Sequence, residues 1–565
     1  MQFSKGFFVE YIKLAGPFWC SENKQAIRRS TLFLITLTIM QMAIAVVITE
    51  WSAALFNALE QHSMSDLLRQ AGLLVLIFAA SITVTMTHLK IKRHLQVSWR
   101  DWLTERVTTQ WMNKGRHYQV THIQTAEHDN PDGRIAEDIR IATEDAITLC
   151  HSLFYSLLLL FGFTTILWSH SGVVTLNLGV AEFALPGYLV WIALIYAAGA
   201  SFLGWRIGKP LVKATDSRQT VEANFRFDLV NARENSQAIA LIHGEANEQA
   251  RFRRYFKQVV ETFNQQTQAI ANIMMFTSGY SVLSMAFPVL VSAPRYILGN
   301  LTLGALMQSV QAFQQTTAAL SWPVDNMAAV AQWRASVERV LSLVKALDDL
   351  ESELARPDPN RIVREKTELP LLAFRHLCLA RLDGIACFSE LNAEIRAGER
   401  VLIEGNPYTA AKLFKAIAGL WPWGSGKIEL PDDEPMFFMP PRPYLPDGTL
   451  RSAICYPTNG EEFDQNALEA AMNRVGLSEL LTQLEQVDHW DKALPREQQQ
   501  RLGAVRLLLK RPKWILLQEA FDSLDPEGEI EMFRLICQEL PDAAMLTITN
   551  QPTADLFHQR RISLE

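Results

Sequence analysis

The sequence has few cysteines, and none of them is spaced as a pair. Six occur among 565 residues, with no CxxC motif. Reduced thiols fit this pattern, and neither a disulfide framework nor a zinc site is predicted. We therefore expect no metal site. The cysteines are Cys20, Cys150, Cys378, Cys387, Cys455 and Cys537.

An excess of positive charge is also missing. Lys and Arg number 53 against 60 Asp and Glu, which gives a net charge of −7. This excludes a strongly basic nucleic-acid binder, so nucleic acid is not an expected partner. Charged residues make up only 20% and hydrophobic residues 49% of the chain. A mean hydropathy of +0.04 then indicates an apolar part averaged with a polar part.

Charge is absent from six long stretches that all lie before Asp325. A helix needs about 20 mostly apolar residues to cross a bilayer. One such stretch alone could be a buried core helix, but six in series favour membrane spans in a lipid bilayer. The predicted spans are 30–49, 71–88, 148–168, 186–205, 270–291 and 302–323.

The loops between the spans differ in Lys and Arg content. Few of these residues lie between spans 1 and 2, 3 and 4, or 5 and 6, whereas many follow spans 2 and 4. The positive-inside rule then places both termini and the two long loops in the cytoplasm. No small-residue cleavage site follows the first apolar run, so we read span 1 as retained. The polar loops are expected to form helices at 99–115, 134–148 and 213–268, continuing the spans as rigid levers.

The sixth predicted span carries a row of glutamines. Gln308, Gln311 and Gln315 share one helix face, with Gln314 beside them. Glutamine is costly against lipid, so this face should meet protein or water. It either joins helices by hydrogen bonds or lines a substrate cavity, and both interpretations stay open.

The composition changes after the last span. Residues 351–369 are polar and contain proline, which is typical of a linker. From 370 onward, short apolar runs alternate with helical segments, as in α/β domains. The predicted organisation is a transmembrane domain at 1–345, a linker at 346–369 and an α/β domain at 370–565.

Several motifs resemble half-size ABC transporters of the SbmA/BacA-like and peroxisomal D-type group. The matches follow family order across the membrane half and continue into the second half. The resemblance implies a six-helix exporter-like transmembrane domain followed by an ABC-type nucleotide-binding domain. The matching segments include 99–103, 130–138, 186–191, 222–227, 303–308, 418–423 and 442–451.

The phosphate-binding loop departs from the pattern that the resemblance implies. Gly405 is where the loop should open, with Lys six residues later and a hydroxyl after it. Position 411 is alanine, Lys412 comes one place late, and Leu413 follows it. Pro407 lies within the loop and removes an amide donor.

The other nucleotide positions depart in the same direction. Pro441 replaces the Q-loop glutamine, Glu497 lies in the signature, Gln518 replaces the magnesium-supporting aspartate, and Asn550 replaces the switch histidine. The resemblance assigns the catalytic base to Glu519 and the D-loop aspartate to Asp525, and both are retained. We therefore expect an impaired ATPase, with no cofactor or weak ATP and magnesium binding through the remnants Gly405, Lys412, Asp525 and Asn550. Off-register nucleotide binding through Lys412 and Glu519 is the alternative.

Three functions stay open. The first is a homodimeric bacterial inner-membrane transporter of peptides or similar amphipathic solutes, driven by protons. Its membrane acids Glu50, Glu182 and Glu222 are the proton-coupling candidates, although acids placed like Glu50 and Glu182 are more often solvated rim charges than proton carriers. The second is an ATP-driven transporter with a noncanonical site or an intact half-transporter as partner. The third is a membrane sensor or scaffold that transports nothing.

Overall fold

A computed structural model describes residues 5–123, 130–177, 182–355, 358, 360–380, 390–432, 436–458, 462–549 and 551–564. The chain divides into two compact units. The helical unit comprises Met1–Gln110 and Asn130–Lys345, and the α/β unit comprises Trp111–Asp129 and Ala346–Glu565.

Long helices dominate the chain as far as Ala355, with short 3₁₀ and π turns and one antiparallel hairpin between them. The α-helices are α1 (Lys5–Ala15), α2 (Lys24–Glu60), α3 (Met64–Met112), α4 (Arg116–Ile123), α5 (Pro131–Gly133), α6 (Ala146–Ser171), α7 (Tyr188–Glu234), α8 (Ser236–Leu241), α9 (Glu245–Ile297), α10 (Leu303–Asp325) and α11 (Met327–Ala355). The hairpin is β1 (Val173–Asn177) and β2 (Glu182–Pro186). The short turns are 3₁₀ at Gly16–Cys20 and Asn113–Gly115 and π at Arg134–Asp138 and Ile141–Asp145.

Among the described residues, five helical stretches are long and apolar enough to cross a membrane. They contain the first five predicted spans except for residues 186 and 187, which precede α7. Span 6 falls on α10, which is outside the five. The glutamines and threonines of α10 account for its lower hydropathy. The five stretches are Lys24–Glu60, Met64–Thr121, Pro131–Ser171, Tyr188–Glu234 and Glu245–Ile297.

The polar connections are largely helical, as expected, but the helix predicted over 213–268 is broken by turns at Asn235 and at 242–244. Helix α3 continues without interruption for 49 residues, α7 for 47 and α9 for 53, well beyond the predicted spans. At 1.5 Å per residue, α9 is about 80 Å long, more than twice the hydrocarbon thickness of a bilayer.

The α/β unit alternates strands and helices. The strands are β3 (Val363–Thr367), β4 (Leu371–Leu379), β5 (Leu391–Arg396), β6 (Arg400–Gly405), β7 (Gly424–Pro431), β8 (Met436–Met439), β9 (Gly448–Thr449), β10 (Val487–Asp488), β11 (Trp514–Gln518), β12 (Ala544–Ile548) and β13 (Arg560–Leu564). The helices are α12 (Pro407–Ile417), α13 (Leu450–Cys455), α14 (Gln465–Arg474), α15 (Trp490–Ala493), α16 (Arg496–Lys510) and α17 (Pro526–Glu539).

The main sheet is parallel, in the order β13-β6-β12-β11-β8. A second sheet, β3-β7-β4-β5, is mixed, with antiparallel pairs on both sides of β4. Apolar side chains of both sheets and α12 form one core, in which Phe374, Val401 and Leu413 are fully buried. Trp490 and Phe521 belong to a second core, which residues of the main sheet form with helices α13, α14, α16 and α17.

Two boundaries differ from the predicted domain limits. Helix α4, at the end of a long connection, lies in the α/β unit, where Lys415 Nζ is 5.4 Å from the centre of the Tyr118 ring. Gln119 Nε2 also donates to the Leu420 carbonyl oxygen over 3.5 Å. The stretch predicted as a linker contains the end of α11 and strand β3, because Leu347 and Leu350 give α11 an apolar face that is buried.

Candidate functional site

The loop after β6 is the first part of the candidate nucleotide site. Asn406 caps α12, and its side-chain oxygen accepts from the Tyr408 N–H over 2.9 Å. The N–H groups of Thr409 and Ala410 both donate to the Asn406 carbonyl oxygen, over 2.9 and 3.0 Å. Pro407 has no N–H. The amides at this helix start, which in other proteins can bind an anion, thus have partners within the chain.

Lys412 lies one turn further along α12 and is 3% exposed. Its Nζ is 4.4 Å from the centre of the Tyr408 ring and 4.8 Å from that of Trp421. Both distances are within the range of cation–π attraction. The Trp421 ring is fixed in turn by its Nε1, which donates to the Ala380 carbonyl oxygen over 3.0 Å.

Gly405 has a packing role that the sequence did not reveal. Its φ is +135°, and a Cβ at this position would lie 2.8 Å from the Leu564 carbonyl oxygen. Strand β13 pairs with β6 up to this residue. Glycine is therefore required for the close approach of two strands, whether or not a phosphate binds.

Gln500 joins several segments of the site. Its Nε2 donates to the carbonyl oxygens of Pro441, over 3.0 Å, and Glu519, over 3.3 Å. Its Oε1 accepts from the Ser523 N–H over 3.0 Å. The segments at Pro441, Glu519 and Ser523 are thus joined by one buried amide.

The retained acidic residues differ in their environment. Glu519 is half-buried at the end of β11, with φ +44°, and its N–H donates to the Ile548 carbonyl oxygen over 2.7 Å. Asp525 is exposed and caps α17 by accepting from the Gly528 N–H over 2.9 Å. Glu497 is exposed in the first turn of α16 and pairs with Arg501 at 3.1 Å. Asn550 lies outside the described residues.

Two further carboxyls belong to this region, where Asp522 interacts electrostatically with Glu519, and Glu529 with Asp522. Asp522 accepts from the Thr549 hydroxyl over 3.0 Å, and Glu529 accepts from the Thr553 hydroxyl. Burial raises the pKa of Asp522 and of Glu529, and the hydrogen bond from each threonine opposes part of this rise. Glu529 is 2% exposed, and its Oε1 has no hydrogen-bond partner among the described residues. Sequence reasoning missed both residues because their partners come much later in the chain.

The glutamine row on α10 is divided between two environments. Gln311 Nε2 donates to Ser52 Oγ on α2 over 3.0 Å, which is the helix-joining interpretation for this residue. Gln308 is half-buried and Gln315 is exposed. Helix α10 approaches α2 very closely at Gly304, where a Cβ would lie 2.2 Å from the Ala53 carbonyl oxygen.

The proton-coupling candidates are not gathered into one place by any contact that the structure gives. Glu50 is exposed on α2, and Glu222 is exposed on α7 in an ion pair with Arg218 at 2.7 Å. The Glu182 side chain lies outside what the structure describes, although its backbone belongs to β2. Among the described residues, no group of three or more His, Cys, Asp or Glu side chains could hold a metal ion.

The comparisons with known proteins agree on the architecture. Residues 18–297 match the family described as ABC transporter transmembrane region 2. A solved structure of a bacterial Atm1-family ABC exporter with ATP bound covers 95% of this chain and 94% of its own, with 15% identity and a TM-score of 0.70. The fold is therefore that of an Atm1-family ABC exporter, mostly helical with a C-terminal α/β domain.

Curated relatives match along nearly the whole chain. The inner membrane ABC transporter ATP-binding protein YddA of Escherichia coli is 26% identical over 550 residues, covering 96% of this chain and 95% of YddA. The human lysosomal cobalamin transporter ABCD4 is 23% identical, covering 99% and 94%. The chloroplastic ABC transporter D family member 2 of Arabidopsis thaliana is 25% identical, covering 99% and 86%. The homologues of this multi-pass membrane protein are thus ABC transporters, several of them of the D family.

Proposed function

We propose that the protein is a homodimeric inner-membrane transporter of peptides or similar amphipathic solutes. In this proposal an SbmA/BacA-like membrane domain with six spans and cytoplasmic termini does the transport. The α/β domain keeps the ABC fold but does not turn over ATP, and the proton gradient supplies the energy. The ABC-exporter fold and the half-transporter homologues support the coarser part of the proposal, a membrane transporter.

The environment of α12 is the observation that carries the finer part. An ABC ATPase holds phosphates with backbone N–H groups and a lysine. Here the first-turn amides donate to Asn406, and the Lys412 ammonium is buried between Tyr408 and Trp421. Binding a triphosphate would require these internal contacts to break first. Gln518 also replaces the carboxylate that would support magnesium.

Dimerisation follows from the class of protein. ABC half-transporters typically function as homo- or heterodimers, and a single copy of this chain has one transmembrane domain. Many apolar side chains of the helical unit are exposed, among them Phe161, Ile195 and Met275, each at 73% or more. Lipid and a second copy are the surfaces we propose for them.

Nucleotide binding is the most direct test of the energy source. The purified protein is heated with and without 10 mM MgATP, and the midpoint of thermal unfolding is recorded. We expect no shift, whereas a ligand at ten times its Kd would stabilise the protein by about 1.4 kcal/mol. A stabilisation that Lys412→Met abolishes would contradict the proposal.

Transport is tested in liposomes with a fluorescently labelled amphipathic peptide and an imposed proton gradient. Uptake is expected to continue without ATP and to stop when a protonophore is added. Strict dependence on ATP would rule out proton coupling. A double variant, Gln308→Leu with Gln311→Leu, should lose uptake, whereas the exposed Gln265→Leu on α9 should keep it. Full uptake by the double variant would remove the basis for a cavity on this face.

An ATP-driven heterodimer is the second candidate, and the retention of Glu519 favours it. An ABC dimer has two composite sites, so an intact partner could supply one active site. Co-purification with a second half-transporter, together with ATPase activity lost on Glu519→Gln, would support this candidate over the homodimer.

A further inference from the structure

Two histidines that are far apart in the sequence meet inside the helical unit. The rings of His88 on α3 and His151 on α6 have centres 4.3 Å apart, with an interplanar angle of 47°. His88 is 5% exposed. The Nε2 atom of His151 is buried and has no hydrogen-bond partner among the described residues.

The protonation of His88 can be assigned from its neighbour Thr38 on α2. The Thr38 hydroxyl donates to the Leu34 carbonyl oxygen over 2.8 Å, so toward His88 it acts as an acceptor. His88 Nε2 lies 3.5 Å from this hydroxyl and therefore carries the hydrogen. When neutral His151 carries its hydrogen on Nδ1, its unpartnered Nε2 is a position at which the pair can take up a proton.

The pair links α3 to the rest of the helical unit. In the charge-free stretch of α3 and the turn after it, Val84 and His88 are the buried residues. Leu76 and Phe78 of the same stretch are 67% and 63% exposed. His88 reaches both α2, through Thr38, and α6, through His151. A change in the charge of this pair would therefore act on the attachment of α3.

Lys92 is the charged neighbour of the pair, and it opposes a further positive charge. Lys92 lies one turn beyond His88 on α3, Tyr155 stacks on His151 from α6 with ring centres 6.3 Å apart, and α2 contributes the neutral Thr38. Cys150 is adjacent to His151 in sequence. Among the described residues, neither ring has a carboxylate in salt-bridge range. An added proton would thus be buried beside Lys92 without a counter-charge. This is unfavourable while α3 packs against α2 and α6 as in the structure.

We propose that His88 and His151 form a proton-binding latch that closes α3 onto α2 and α6 when neutral and releases it when protonated. One proton binds at His151 Nε2, and it leaves when α3 closes again. The latch rests on the proton-coupled function proposed above and supplies a coupling site that the carboxylates Glu50, Glu182 and Glu222 do not.

The pH profile of thermal stability tests the latch without any substrate. A histidine in an unfolded chain takes up a proton below about pH 6.5, whereas the closed pair resists it, so the closed state loses stability as pH falls. Thermal midpoints of the purified protein are measured from pH 7.5 to 5.0. In His88→Gln and His151→Gln the loss of midpoint across this range should shrink by half or more. The matched control His94→Gln, an exposed residue on the same helix, should keep the wild-type profile.

A second variant separates proton binding from packing. His151→Phe keeps a ring against Tyr155 but cannot take up a proton, so it should show the same flattened profile as His151→Gln. Profiles parallel to wild type in all three pair variants would overturn the latch.

Proton flux then separates the latch from the proposed function. Liposomes that contain the protein and a pH-sensitive dye are exposed to an acid jump with a membrane potential. Flux at least tenfold lower in the pair variants than in His94→Gln supports the latch as the coupling site. Equal flux in the variants and the control overturns that role. Absence of flux in the wild type overturns proton-driven transport. The pH profile of the thermal midpoint would then still show whether the histidine pair releases α3 when it takes up a proton.

Discussion

The polar side chains at the candidate sites of the two units have different surroundings. In the α/β unit, the buried polar groups at the nucleotide positions are mostly occupied by the chain itself. Gln500 makes three hydrogen bonds, and Lys412 is covered by two aromatic rings. In the helical unit, His151 keeps an open nitrogen and the glutamines of α10 are only partly used. This contrast is one reason for our proposal that the helical unit, and not the nucleotide site, binds the transported solute.

The largest expected difference between the units is in how they tolerate loss of an aromatic ring. Phe374 on β4 is fully buried and Phe78 on α3 is 63% exposed. Phe374→Ala should lower the free energy of unfolding by about 3–5 kcal/mol. Phe78→Ala should change it by less than about 0.5 kcal/mol. Thermal unfolding of the two variants checks this, and an equal loss would mean that the outer face of α3 is covered.

Replacement of Glu529 should raise the free energy of unfolding, whereas replacement of Phe374 lowers it. The reason is that the Glu529 carboxyl is buried with one unpartnered oxygen. Its raised pKa means that the ionised form is disfavoured in the folded state, so stability falls as pH rises from about 4.5. Glu529→Gln should therefore stabilise the α/β unit at pH 7 by about 1–3 kcal/mol. It should also remove the stabilisation that protonation of Glu529 contributes as pH falls, so the midpoint of the variant should fall more steeply toward pH 5 than that of the wild type. The exposed Glu527→Gln is the control, and a destabilised Glu529→Gln would contradict this reasoning.

Removal of the α12 cap should have a moderate effect. Asn406→Ala loses the hydrogen bond to the Tyr408 N–H and should cost about 1 kcal/mol of unfolding free energy. The loss should be the same with and without MgATP, as measured by thermal unfolding. The exposed Asn473→Ala serves as the comparison. A cost that appears only with MgATP would mean that this helix start holds phosphate.

The smallest effect is expected at the retained glutamate. Glu519→Gln should leave peptide uptake within about twofold of the wild type, whereas loss of a general base in a working enzyme costs about 10²–10⁴ in rate. Uptake and phosphate release are measured on the same liposomes. A hundredfold drop in uptake would mean that ATP hydrolysis with Glu519 as the general base drives transport, so that the α/β unit supplies the energy.

The sequence predicted the architecture better than the contacts. Charge-free runs located five membrane-length helices, and the retained α/β pattern indicated the C-terminal domain. Counting from Gly405 places alanine at position 411, where the resemblance predicts the phosphate-loop lysine. The aromatic surroundings of Lys412 could not be predicted, because the turn after α12 folds the chain back and brings Trp421 against Lys412. His88 and His151 carry no spacing signal, since two helices far apart in sequence bring them together.

Helix α4 has a practical consequence for experiments on the α/β domain alone. This helix lies far ahead of the domain in the sequence, yet it covers Lys415 and Leu420, and Arg116 pairs with Glu351 at 2.8 Å. A fragment that starts near residue 346 would expose the surface under α4 to water. Supplying residues 111–129 as a fused segment or a separate peptide would restore that cover. The domain is therefore assembled from two separate parts of the chain, and its boundaries cannot be cut at a single position.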